Sequence, residues 1–232
     1  MHDQIEFATY PLKSSRATLL ILPDAGDSGS VDSGQVDAAL DAVVDAAAAR
    51  RIESVVAIAD GCWWSDRPGS SGRSPLEVLV DFFGERSGPA AVFGVGVGGQ
   101  GALFAALERP DIFPIVAAVA PACDLGRWYP SSASLQATFE TADQARQAEA
   151  PLRLNPLVRP HSFWIRCDPR DEPCAPSALR MVSKLTASGI AVDADLVSEF
   201  GISRDAYVLA QTDTMVDFID RAVDRAPLPL LR

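Results

Sequence analysis

Apolar and polar positions along this chain follow two alternating periods. Short apolar runs rich in Val, Ile, Leu and Ala, bounded by Gly, Pro, Asp and Ser, predict strands over Ile5–Tyr10, Ala17–Leu22, Ser54–Ala59, Ala91–Val95, Ile115–Ala120, Ser162–Cys167 and Ala191–Val197. Between them apolar residues recur at helical spacing, which predicts helices over Val36–Arg51, Pro75–Arg86, Gly98–Glu108, Pro176–Ser188 and Asp213–Arg225. The second helix carries its own start signal: Ser74 can cap, Pro75 suits the first helical position, and Glu77 completes a capping box. Strand and helix alternating from end to end define an α/β chain with a mostly parallel sheet and helices on both faces. At 232 residues and 48% hydrophobic content the chain can bury one large core, and residues 1–232 are read as one domain.

The connections differ in length and character. Residues 24–34 (DAGDSGSVDSG) and 60–73 (DGCWWSDRPGSSGR) follow strand ends, where open α/β sheets build their sites. Residues 124–160 form an insertion with one expected helix, Leu135–Ala150, placed over the C-terminal ends of the strands.

Charge and rare residues narrow the function classes. A net charge of −11 repels nucleic acid and anionic membrane surfaces, so neither is an expected partner. The opening MHDQIEFATY lacks a basic segment followed by an apolar one, and no stretch reaches the roughly 18 to 20 apolar residues that span a bilayer, so a cytoplasmic protein is expected. Cys62, Cys123, Cys167 and Cys174 are scattered and form no C-x-x-C pair, which implies reduced thiols. His2 and His161 are the sole histidines, and no cluster has the spacing of metal ligands; no metal and no cofactor is expected.

The glycine-rich run after the fourth strand can be divided in two ways. Gly96-Val97-Gly98-Gly99-Gln100-Gly101 spells G-x-G-x-x-G, but three strands precede the one that leads into it, and no carboxylate stands at the end of the next strand to take a ribose. Two residues earlier, Gly94-Val95-Gly96-Val97-Gly98 spells a G-x-S-x-G nucleophile elbow with glycine in place of serine. In such an elbow the central residue sits on a strained corner while small neighbours let strand and helix approach, a demand that Gly94, Gly98, Gly99 and Gly101 satisfy.

The surrounding text, GVGVGGQGALFAALERPDIFPIVAAVAPACD, resembles the putative-esterase branch of the α/β-hydrolases. That branch includes S-formylglutathione hydrolases, enterochelin-esterase-like proteins and mycolyltransferases. Its elbow reads approximately G-x-S-x-G-G-x-G-A-L, followed by a helix, a Pro-Asp-x-Phe turn and a strand ending in Ala-Pro. Pro110-Asp111-Ile112-Phe113 and Ala120-Pro121 are similar to the latter two. Ala59-Asp60-Gly61 and Trp63-Trp64-Ser65-Asp66 resemble the cleft-lining segment after the preceding strand, and Phe163 to Asp171 resembles the segment delivering the catalytic acid. The resemblance covers about Ala17 to Arg225 and implies an α/β-hydrolase fold, with Asp171, or its neighbour Asp168, at the acid position.

It also exposes two departures. The nucleophile position holds Gly96, and Ile202, in Gly201-Ile202-Ser203, stands about where the histidine is required. Acyl transfer by this constellation needs an activated nucleophile, a base within hydrogen-bond reach and an acid to orient that base. Gly96, Asp171 and Ile202 are therefore expected to be vestigial, with no intact catalytic set. What remains is the Val97 N–H at the start of a helix, with an N–H from Asp24-Ala25-Gly26, as an oxyanion-hole-like pair. Val97, Asp24, Ala25, Trp63 and Trp64 are accordingly the expected ligand-binding residues, for a small carbonyl, carboxylate or sugar. The sequence thus points to an esterase-like chain acting as a ligand-binding, regulatory or assembly protein, alone, as a homo-oligomer or with a protein partner. Two alternatives stay open: an active carboxylesterase or acyltransferase using other groups, and a nucleotide binder.

Overall fold

A computed structural model describes residues 5–24, 38–59, 62–66, 72–84, 86, 88–199 and 204–226. Seven strands, β1 (Glu6–Tyr10), β2 (Ala17–Leu22), β3 (Ile52–Ile58), β4 (Ala90–Val95), β5 (Ile115–Val119), β6 (Ser162–Arg166) and β7 (Asp193–Asp195), form one sheet in the order β1-β3-β2-β4-β5-β6-β7. β1 runs antiparallel to β3 and every other pairing is parallel. The central strands β2, β4 and β5 are buried at every position, as expected where helices cover both faces of a parallel sheet. The edges are weaker: β1 is half-buried, and β7 is a three-residue strand shorter than the apolar run Ala191–Val197 predicts.

The helices are α1 (Ala38–Ala49), α2 (Pro75–Gly84), α3 (Val97–Glu108), α4 (Leu125–Trp128), α5 (Ala133–Thr138), α6 (Ala142–Gln147), α7 (Ala175–Ala187) and α8 (Arg204–Val223). The capping box at α2 forms as its sequence predicts: the Ser74 N–H donates to Glu77 Oε2 at 2.7 Å, and the Glu77 N–H donates to Ser74 Oγ at 3.2 Å. α1 and α8 pack against each other, joined by Arg50 to Asp217 at 2.6 Å. α8 begins earlier than the predicted Asp213. Its buried stripe, Tyr207, Val208, Thr212, Met215, Val216 and Ile219, keeps helical spacing across the polar residues that mask the pattern in the sequence.

The insertion departs further from expectation. In place of one helix over Leu135–Ala150 there are two, because Phe139 is extended and Thr141 opens a new helix, its side chain accepting the Gln144 N–H at 3.2 Å. Ser132 caps the first in the same way, from Leu135 at 3.1 Å. A 3₁₀ turn at Ala150–Arg153 then packs on both α3 and α7.

Candidate functional site

β4 ends at Val95, the chain turns through Gly96, and α3 starts at Val97. Gly96 has φ 56° and ψ −117°, a conformation glycine enters without a Cβ penalty. Its N–H donates to the Val119 carbonyl at 3.0 Å and its carbonyl accepts the Ala122 N–H at 2.9 Å, so the corner is tied to both ends of the turn after β5.

The neighbouring glycines allow close approach. A Cβ on Gly94 would overlap the Gly98 carbonyl, and one on Gly98 would overlap the Leu22 carbonyl at the end of β2. At Gly99 it would stand 3.0 Å from Pro121 Cα, and at Gly101 it would overlap the Trp64 ring. All four glycines thus face protein. The elbow frame accounts for them, and the dinucleotide frame, which needs a glycine face open to a pyrophosphate, does not.

What fills the corner comes from β2. Asp24, two residues past the end of that strand, places its carboxylate where a side chain on Gly96 would lie: a Cβ there would overlap Cγ, Oδ1 and Oδ2. The same carboxylate accepts the Val97 N–H at 3.0 Å, capping α3 from 73 residues away. A negative group at the positive end of a 12-residue helix is favourably placed. Asp24 therefore reaches the corner through its side chain, where the sequence points to its loop backbone; Ala25 and Gly26, the other expected contributors, lie outside the described residues.

Trp63 and Trp64 do not face an open cleft. Both indoles are buried, at 5% and 2% exposure. Trp64 lies in the slot left by Gly101 and has φ 49°, and Trp63 donates its Nε1–H to Ser134 Oγ at 2.8 Å and packs near Trp128. The reason is small-residue complementarity: the glycine on α3 makes room for one ring, and the insertion receives the other.

Along the strand ends, Arg166 is level with Val119, and Val119 with Val95. Asp168 thus stands beyond the sheet two strands from Gly96, about 10 Å at roughly 4.8 Å per strand. It is held by Arg170, whose backbone N–H donates at 2.8 Å and whose guanidinium donates at 3.1 and 2.9 Å. Asp171 sits in the turn before α7, its carbonyl accepting the Cys174 and Ala175 N–H groups at 2.9 and 2.7 Å. Ile202 lies outside the described residues. His161 precedes β6, at the opposite end of the strands from Gly96 and about 20 Å away by strand rise.

Two features, Gln100 and Glu149, escaped the sequence reading. Gln100, fully buried one turn into α3, grips the insertion: Oε1 accepts the Ala150 N–H at 3.1 Å and Nε2 donates to the Ala148 carbonyl at 3.3 Å. Glu149, between them, is ion-paired with Arg180 and accepts the Gly126 N–H at 3.2 Å, while its burial pushes the carboxyl above the usual range. Nearby Cys123 is buried, and desolvation pushes its thiol up. A lone polar residue in an apolar helix is the sequence signal for Gln100; Glu149 leaves none.

Among the described residues no helix is long and apolar enough to cross a membrane, and no group of three His, Cys, Asp or Glu side chains is placed to hold a metal ion.

The strand order, the glycine corner after the fourth strand and the helices on both faces define a protein of α/β-hydrolase fold. Residues 76–185, which span the corner and the insertion, match the model of the putative esterase family. The structure is similar to an S-formylglutathione hydrolase from Agrobacterium tumefaciens, with TM-score 0.68 and 15% identity over 95% of this chain and 91% of that one. It is similar also to the capsule O-acetyltransferase of Neisseria meningitidis serogroup A, with TM-score 0.64 and 11% identity over 92% and 91% of the two chains. A ferulic acid esterase gives TM-score 0.63 and 15% identity over 94% and 98%. No curated protein matches the sequence.

Proposed function

We propose that this esterase-like chain is catalytically defective and acts by binding, as a ligand-binding, regulatory or assembly protein of the cytoplasm. The observation that supports this reading is the Asp24 carboxylate at the corner. It fills the space of a nucleophile side chain and takes the Val97 N–H that would stabilise an oxyanion. Negative charge developing on a substrate oxygen there would meet a carboxylate that already holds the donor, so the electrostatic contribution to acyl transfer is reversed in sign. No hydroxyl is present at Gly96, and the described histidine lies at the far end of the strands. Because the corner already accommodates a carboxylate, a carboxylate is the ligand class we favour among small carbonyls, carboxylates and sugars; at this corner it would compete with Asp24.

The test is direct. The purified protein should show no covalent labelling by a fluorophosphonate and no p-nitrophenyl acetate hydrolysis above a serum albumin control. Stoichiometric labelling at one site, with turnover that survives purification to homogeneity, would overturn the reading. A second reading is favoured by the same carboxylate. Asp24 could attack an ester carbonyl, forming a mixed anhydride and releasing the alcohol, with water returning the carboxylate and the acid. It predicts an Asp24 hydroxamate when turnover is run in hydroxylamine, and the defective reading predicts none.

A further inference from the structure

A hollow of about 480 Å³ opens beside the C-terminal ends of β6 and β7, and none of the residues of the Gly96 corner line it. Its size lies within the range of small-molecule sites, and it sits where parallel α/β sheets place ligands. Cys167 and Pro169 after β6, Leu196 after β7 and Leu179 on α7 give it largely apolar walls. Among the described residues, Arg127 on α4 and Glu172 before α7 are the charged residues of the lining, and both are exposed.

Two observations mark the hollow as more than a packing irregularity. Leu179, on the lining, is 57% exposed, so apolar surface stands at this concavity without a folding reason. Arg127 forms no ion pair among the described residues, although the protein carries 31 carboxylates. Five other arginines of the same half of the molecule, Arg146, Arg153, Arg166, Arg170 and Arg180, each hold a carboxylate; Arg159, exposed before β6 and not on the lining of the hollow, shares with Arg127 the lack of an ion pair among the described residues. A cation left unmatched beside an apolar hollow is suited to an anionic ligand with an apolar body, since guanidinium binds carboxylate through paired N–H donors. Glu172 on the same lining disfavours a second negative group.

We propose that this hollow binds a small monocarboxylate with an aliphatic or aryl body, the carboxylate on Arg127 and the body against Leu179, Leu196 and Pro169. The site is separate from the corner and stands whether or not the corner is catalytically defective.

Octanoate and its neutral counterpart 1-octanol are the probes, followed by calorimetry and by methyl and amide NMR shifts of the full chain. Octanoate is expected to saturate one site and shift the Leu179 and Leu196 methyls. Arg127→Gln should weaken it about tenfold or more while leaving octanol unchanged. Leu179→Asp, at an exposed position, should remove both. No saturable octanoate binding below about 1 mM would overturn the proposal, as would equal binding by Arg127→Gln. Shifts confined to the Val97 amide would overturn it in favour of displacement of Asp24 at the corner. Fluorophosphonate labelling does not enter these outcomes, so failure here and failure of the defective-esterase reading are told apart.

Discussion

The carboxylate of Asp24 occupies the volume of the side chain that Gly96 lacks, with its Oδ1 3.0 Å from the nitrogen of Val97. Each residue defines the other. Without a Cβ, position 96 leaves room for a carboxylate from the end of β2, and that carboxylate satisfies the first N–H of α3, which in an active elbow faces the substrate oxygen.

Gly96→Ser should therefore destabilise on two counts. A side chain at φ 56° costs about 1 to 3 kcal/mol. Displacing Asp24 from Val97 forfeits a charge-assisted hydrogen bond of about 1.5 to 3 kcal/mol, and a stiffer unfolded chain returns about 0.4 to 1. The net loss is on the order of 2 to 5 kcal/mol, read as a lower urea or thermal midpoint, with no esterase activity gained. Asp24→Ala in the same chain removes the colliding atoms, so the double variant should lose less than the sum of the single losses. A Gly96→Ser protein more stable than its parent would show that the corner is not strained and would remove the basis of the elbow assignment.

Asp24→Ala alone leaves the Val97 N–H without its carboxylate at a helix N-terminus, at a cost of about 1 to 3 kcal/mol. The vacated space has the shape and polarity of a carboxylate. Added formate should raise the melting temperature of this variant in a saturable way through binding to the folded state, while the parent, whose corner is filled, does not respond. Equal responses of the two proteins would place the formate effect elsewhere.

The parts of this molecule legible in its sequence are those whose cause is local. β2 is found at its predicted bounds, and β4, β5 and β6 within one residue, because strands buried on both faces read as continuous apolar runs between breakers. The capping box at Ser74 and Glu77 is likewise a short-range signal. The elbow glycines are legible as packing residues because a motif specifies their spacing. The occupant of the corner is not, since Asp24 lies 73 residues from Val97, and choosing between its backbone and its carboxylate requires the third dimension. The tryptophans mislead for the opposite reason: polar, glycine-rich neighbours suggest an exposed loop, while the slot above Gly101 and the hydroxyl of Ser134 bury the rings. The break between α5 and α6 turns on Phe139, whose burial draws the chain into an extended residue that a helical periodicity passes over.

Glu149 supplies a pH test. Burial raises its folded-state pKa above the value of about 4.3 expected in the unfolded chain. As pH rises, the unfolded state ionises first, so Glu149 weakens stability increasingly from the unfolded pKa up to the folded one, and by a constant amount above it. Glu149→Gln removes that dependence. The melting temperature of the variant minus that of the parent should increase from pH 4 to pH 7. A difference that falls over this interval would mean that pairing with Arg180 outweighs burial and that the shift has the opposite sign.

Gln100 satisfies two backbone groups of the insertion, the Ala150 N–H and the Ala148 carbonyl, in a site without exposure. Gln100→Leu keeps the volume and removes both partners, leaving a buried donor and a buried acceptor at a cost of about 1 to 3 kcal/mol each. The segment need not unfold the sheet to recover that energy, because separating from α3 lets water reach both groups. The expected result is local: amide exchange at 148–153 accelerates, while β2, β4 and β5 keep their protection. Gln100→Glu should act in the same direction, since a carboxylate can still accept from Ala150 but cannot donate to Ala148. Uniform loss of protection across sheet and insertion would show that the two open as one unit and that Gln100 secures the whole fold. Unchanged exchange at 150 would show that Arg180 and Lys184, which bind Glu149 and the Pro151 carbonyl from α7, hold the turn without it.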